Sequence, residues 1–250
     1  MNRTVSFFIA AVMLLIYGAA QAGEFAVSPT RLNLSGASRS QLLSITNAGA
    51  TPSRFLVRAT GWSVSESGVV ELVPDDKLVV FPASFTVAPK ATQNIRVGTD
   101  QPAADTEQTW RIILEELPNP EAQSTAGTSI NVLSVLSVPV FMPPAVARKS
   151  IDASIESVQG VTATVVLTNK GNAHEMINTV SVSALGGQTV LAQGLQEGWY
   201  LLPGKRRVLA LKSDKNSWCV PGITSFDLRA VDRDGLTLVR QSIDAREVCR

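Results

Sequence analysis

Beyond its first 22 residues the chain has almost no helical periodicity. Short runs of Val, Ile, Leu, Thr and Phe alternate instead with Gly, Pro, Asn and Ser turns. A chain of this cadence can bury an apolar face only by pairing strands into sheets and stacking the sheets, so the expected class is all-β. The first candidate strands read EFAVSPTRLNL, QLLSITN, SRFLVRATGW, FTVAP, QNIRVGT, TWRIILEELP and TSINVLSVLSVPVFM. About seven strands at this spacing suit an immunoglobulin-like sandwich. The segment MPPAVARKS, Met142 to Ser150, then has the two prolines and small and basic residues of a linker, and the strand cadence starts again.

The restart is a repeat. ITNAGA, Ile45 to Ala50, matches LTNKGN, Leu167 to Asn172, at an offset of 122. FTVAPKATQNIRV, Phe85 to Val97, matches WYLLPGKRRVLAL, Trp199 to Leu211, at an offset of 114, with Pro89 against Pro203. Two matches in the same order at similar offsets predict two tandem immunoglobulin-like β-sandwich domains of common plan. The expected division is residues 1–22, 23–145 and 146–250. The first piece has Arg3, an apolar run VSFFIAAVMLLIYG and an Ala20-Gln21-Ala22 cleavage pattern, which together read as a secretory signal peptide. An uncleaved anchor is the alternative, but the run is short for a membrane span and no other segment approaches that length.

Export permits a disulfide between the two cysteines, Cys219 and Cys249. Between them lie SFDLRAV, the turn DRDG and LTLVRQSI, and each cysteine is 15 residues from Asp234. An antiparallel hairpin would therefore bring them face to face at its open end. A pair of free reactive thiols is the other reading.

Catalytic patterns are scarce. One histidine, His174, cannot build a multi-histidine zinc site, and no G-x-S-x-G elbow accompanies it. It reads as a loop or strand-edge histidine. Glu115 and Glu116 are consecutive in a strand and point to opposite faces. Asp232 and Asp234 offer too few oxygens for calcium, and no phosphate-cradling glycine loop appears. No enzyme, metal or cofactor is expected, and the net charge of +1 gives no pull toward nucleic acid.

Binding is the better class. From Ser129 to Met142 there is no charged residue, and both faces of TSINVLSVLSVPVFMPP are largely apolar. An exposed strand of this kind invites aggregation unless a partner strand covers it. It suits strand addition, and Pro139, without a ladder donor, favours a sheet edge or strand end. A central strand covered by its own fold is the alternative.

These residues resemble the periplasmic chaperones of pilus (fimbria) assembly by the chaperone–usher route. FAVSPTRLNL is similar to the family's first strand, and VFPASFTVAPKATQNIRV to a following stretch. TWRIILEELP, VPVFMPP and SFDLRAVDRDGLTLV resemble the F1 strand, the end of the G1 edge strand and the last hairpin of the second domain. The resemblance implies a boomerang of two domains whose G1 strand completes a pilus subunit that lacks its last strand. It implies pilus subunits and an outer-membrane usher as partners, a periplasmic location and no nucleotide. The donated side chains would be Ile130, Val132 and Ser134, with Leu133 and Val135 in the chaperone's own core. Pattern alone leaves the phase open by one residue, because both faces are apolar.

The family holds the subunit's C-terminal carboxylate with a first-strand arginine, here Arg31, and a lysine late in G1. That lysine position falls on Pro139. Arg31 then acts alone or with another base: Arg111 of the F1 strand, or less favourably Arg96. The lost lysine hints at a divergent, archaic-type branch, and the short polar loop from Pro118 to about Thr128 resembles the family's short F1–G1 loop class. A second copy could cap the free G1 strand as a dimer. The competing reading is a secreted, pilus-associated immunoglobulin-like structural or adhesive protein.

Overall fold

A computed structural model of the chain describes residues 25–118 and 132–249. The proposed signal peptide and Ile130 lie outside them. The first ten strands are β1 (Phe25–Ser28), β2 (Leu32–Asn33), β3 (Ser40–Asn47), β4 (Ser53–Val64), β5 (Val70–Val73), β6 (Val79–Phe81), β7 (Ser84–Val87), β8 (Thr92–Gly98), β9 (Gln108–Leu117) and β10 (Val135–Met142). They form a four-stranded sheet, β1-β3-β8-β6, and a six-stranded sheet, β2-β10-β9-β4-β5 with β7 beside β4. Leu43, Ile45, Phe55, Ile95, Trp110, Ile112 and Leu114 fill the space between them. The alternation of these residues with exposed ones along each strand is what stacks the two sheets face to face.

The second group is β11 (Ile151–Gln159), β12 (Thr162–Asn169), β13 (Glu175–Gly186), β14 (Thr189–Glu197), β15 (Tyr200–Leu201), β16 (Arg206–Lys212), β17 (Ser225–Asp232) and β18 (Thr237–Asp244). It forms β11-β12-β16 against β14-β13-β17-β18, with β15 beside β13. Trp218, Phe226, Leu228 and Leu211 anchor its separate core. The architecture is all-β, two immunoglobulin-like sandwiches in tandem.

The repeat read from the sequence is a repeat of hydrogen bonds. Asn47 and Asn169 are both fully buried. Asn47 donates its amide to Thr51 O and Val87 O and accepts from Gly49 N at 2.8 Å. Asn169 donates to Ala173 O and Leu201 O and accepts from Gly171 N, also at 2.8 Å. Their backbone N–H groups go to Ala91 O and Lys205 O. Each asparagine thus ties a strand end to its own turn and to a later loop, satisfying buried backbone groups that the ladders leave open.

FAVSPTRLNL does not form the single strand expected. It divides into β1 in one sheet and β2 in the other, because Pro29 has no N–H for a ladder and interrupts the pairing. Arg31 lies in the crossover. At the other end, Asp232 Oδ1 accepts from Asp234 N and Leu236 N, closing the β17–β18 hairpin. Cys219 and Cys249 are bonded, with Cα atoms 5.7 Å apart. Between β18 and Cys249 stands a one-turn helix, α1 (Ala245–Val248), capped by Asp244.

Strand β10 has an open edge. It pairs with β9 along its whole length but with β2 only at Val140 and Phe141. Among the described residues no strand lies against the other edge of Val135–Pro139.

Candidate functional site

The alternation along β10 separates its two faces. Leu136, Val138, Val140 and Met142 point into the domain core. Val135 is 65% exposed and Ser137 is exposed, while Leu133, just before the strand, is 42% exposed. The expectation that Leu133 and Val135 pack in the core is therefore wrong. They share the outward parity of the strand, and the core-facing side chains have even numbers. Carried upstream through the described residues, that even parity includes Ser134 and Val132, while Ile130 lies outside them. Val132 is 87% exposed, because it lies beyond the end of the domain's own core.

The backbone groups alternate too. Glu116 N donates to Ser134 O, and Leu34 N on the opposite side donates to Phe141 O. Even-numbered residues therefore bond to β9, and odd-numbered ones aim their N–H and C=O at the open edge. Pro139 faces the open edge, so its missing N–H breaks no bond to β9.

Pro139 stands directly opposite Arg111 of β9. Opposed residues of an antiparallel pair share a face, so the guanidinium of Arg111 emerges where a side chain at 139 would have emerged. Arg111 is only 7% exposed. Its Nη1 donates to Ser137 Oγ at 2.9 Å, and its plane lies 4.2 Å from the centre of the Trp62 ring. Its Nε is buried without a partner, and no carboxylate pairs with it among the described residues. Burial lowers its pKa, and the nearby Tyr200 phenol opposes that shift. A buried cation without a counter-charge is costly to keep desolvated.

The second sandwich roofs this face. Trp62, Val64, Phe141 and Leu202 are buried together, with Tyr200 against them. His174 stacks on Phe141 at 3.9 Å between ring centres. Glu107 Oε2 takes both the backbone N–H of His174 and its Nδ1, each at 2.8 Å. Asn172 Nδ2 donates to Asp105 O and Val146 O. On the far side the β4–β5 turn reaches β16, where Arg206 Nη1 meets Glu66 Oε2 at 2.8 Å and Val208 N donates to Glu66 O. The single histidine is therefore an interdomain clasp rather than a plain loop residue.

Between the domains a cleft of about 430 Å³ is lined by Arg31, Asn33, Arg111, Ser137, Pro139, Met176, Trp199, Tyr200 and Arg233. Arg31 and Arg111, far apart in sequence, thus face one space. Arg31 is exposed and has no ion-pair partner among the described residues. Arg96 is not in the cleft; it stands on β8 in the other sheet, bonded to Ser40 Oγ at 3.0 Å. Glu115 and Glu116 serve separate ends, an ion pair with Arg58 at 2.6 Å and a bond from Ser134 N at 3.0 Å. Missed from sequence were Trp62, Glu107, Trp199, Tyr200 and Arg233. They share no local sequence signal, and their convergence is tertiary.

Strand β10 thus has an open edge, with an arginine that lacks a carboxylate partner at its foot, in a chain of two immunoglobulin-like sandwiches. The comparisons give the family. Residues 24–147 match the model of the pili and flagellar-assembly chaperone, PapD N-terminal domain. The chain belongs to the pilus-assembly chaperones. Its fold is similar to a structure of the CsuC–CsuE chaperone–tip adhesion subunit pre-assembly complex from archaic chaperone–usher Csu pili of Acinetobacter baumannii. That match has 16% identity and a TM-score of 0.60 over 89% of this chain and 98% of the other. It is also similar to a Salmonella enterica SafA pilin–SafB chaperone complex, at 14% identity and a TM-score of 0.55 over 90% and 98%. The CupB2 chaperone of Pseudomonas aeruginosa matches at 12% identity and a TM-score of 0.52 over 88% and 99%. No curated protein matches the chain in sequence.

Proposed function

We propose that the protein is a periplasmic chaperone that completes unfinished pilus subunits with its G1 strand, β10 and the residues before it, and passes them to an outer-membrane usher. The observation that carries this reading is Arg111: a buried, carboxylate-free cation opposite Pro139, in the same cleft as Arg31, at the foot of an open strand edge. The subunit's terminal carboxylate occupies the space between the two arginines. Arg111 supplies the charge that a lysine at 139 would have supplied, and a guanidinium grips a carboxylate with two parallel bonds.

From that anchor the subunit's chain runs along the open edge, bonding the odd-numbered backbone groups of Ser137, Val135 and Leu133. Ser134 and Val132, which continue the face that lines the chaperone's own core, then fill the client's core, and Ile130 is the further donor expected from the sequence. Each Val or Ile buried in this way contributes roughly 1.5–3 kcal/mol. The sum holds a subunit and still lets another strand displace β10 without a nucleotide.

The test is recovery of a co-expressed pilus subunit from the periplasm. Arg31→Ala and Arg111→Ala should each abolish recovery while the chaperone stays folded. Normal recovery with Arg31→Ala refutes the carboxylate anchor. Loss with Arg31→Ala alone assigns the anchor to Arg31 and removes Arg111 from it.

A further inference from the structure

We propose that the second domain reads the side chain of the client's last residue, through an apolar subsite built around Trp199. The inference rests on the carboxylate anchor and extends it from a charge to a specificity.

Three of the four tryptophans are almost wholly buried: Trp62 at 5%, Trp110 at 1% and Trp218 at 0% exposure. Trp199 is 45% exposed and faces the cleft that holds Arg31 and Arg111. Indole left half in water at a solvent-filled cleft gains by burial against an apolar group. The backbone that carries Trp199 is pinned. Its C=O accepts from Ile177 N at 3.1 Å, and the preceding Gly198 N donates to Asn178 O at 2.9 Å. Gly198 has no room for a side chain, since a Cβ would fall 2.6 Å from Ile177 Cγ2. The indole meets the Tyr200 ring edge-on at 5.3 Å. An aromatic wall on a pinned backbone has only two side-chain torsions to order on binding.

The rest of the subsite matches. Met176 stands opposite Tyr200 in the β13–β15 pair, and Pro139 closes the side toward β10. A polypeptide whose carboxylate lies on Arg31 and Arg111 must place its last side chain within one residue's reach of that anchor. The wall there is Pro139, Met176, Trp199 and Tyr200, so the preferred occupant is a bulky apolar or aromatic C-terminal residue. Charge complementarity fixes which end of the chain enters, because the unpaired arginines take the carboxylate.

The experiment uses the full mature chain and three synthetic strand peptides of alternating Val and Thr. One ends in Phe with a free carboxylate, one in Ala with a free carboxylate, and one in Phe amide. Binding is read by calorimetry and by fluorescence of the cleft tryptophan. The Phe acid should bind about tenfold more tightly than the Ala acid. Trp199→Ala should bring the two within about twofold, since the aromatic partner is gone. Trp199→Phe should keep most of the preference, and circular dichroism reports the fold of each variant. Amidation should weaken binding to every variant. Equal binding of the Phe and Ala acids, or a preference that survives Trp199→Ala, overturns the subsite while the amidation loss leaves the anchor standing. Unchanged affinity on amidation, or no binding of either acid, overturns the anchor and this inference with it.

Discussion

Replacing Arg111 with Met should weaken client binding without a loss of stability. In the free protein Arg111 is 7% exposed, with one bond to Ser137 and a stack on Trp62 in place of an ion pair. The hydrogen bond contributes about 1.5–3 kcal/mol, and the cation–π contact about 1–2 kcal/mol. Desolvating a guanidinium without a counter-charge costs several kcal/mol, so the two contacts roughly offset it. Methionine fills a similar volume beside Trp62, adds a sulfur–aromatic contact and removes the charge. Stability should therefore stay the same or rise by about 1 kcal/mol, a shift of a few degrees in the first domain's Tm. Binding should fall by about 3–5 kcal/mol, because the client carboxylate loses a desolvated partner. The assays are differential scanning calorimetry of the free chaperone and calorimetric titration with a peptide that ends in a free carboxylate. A variant that loses more than about 2 kcal/mol of stability and binds the peptide normally would refute the reasoning, since Arg111 would then be a structural residue.

Asn169→Ala should destabilise the second domain by about 2–4 kcal/mol in urea denaturation, because three buried backbone groups lose their partner. Asn47→Ala should do the same in the first domain. Lys90 has φ of 60°, where the matching position of the second domain has Gly204 at 69°. Lys90→Gly should relieve a left-handed conformation worth about 1 kcal/mol and raise the first domain's Tm, which a thermal melt can check. The Asp244 carboxyl is held down at about 2, mainly by its hydrogen bonds from Arg246. Its pKa is lowered in the folded state, so the stability it contributes is present above the ordinary carboxylate range and disappears as pH falls toward 2. A carbon-detected NMR titration should show Asp244 titrating near 2 in the wild type and higher in Arg246→Ala, which keeps only the backbone hydrogen bond.

The sequence by itself determined the fold class and the doubling. Strand cadence and turn chemistry are local properties, and the Thr-Asn-x-Gly turns at Asn47 and Asn169 carry their hydrogen-bond role in their own residue types. It also marked β10 as unusual, since the absence of charge from Ser129 to Met142 is visible without coordinates. Pro139 and Arg31 were legible against the family pattern, and Arg111 could be named as a candidate because F1 should pair with G1. What sequence could not decide is which face of β10 looks inward. Both faces are apolar, and only the stacking of Leu136, Val138 and Val140 on the opposite sheet set the phase.

The cleft depended on tertiary structure altogether. Arg111 opposite Pro139 is a matter of register, and strand register depends on how two distant segments pair. Trp199, Tyr200 and His174 belong to the second domain, and nothing local predicts that they cover the outer face of the first. His174 looked like an ordinary loop histidine because its partners, Glu107 and Phe141, are brought to it only when the two sandwiches dock.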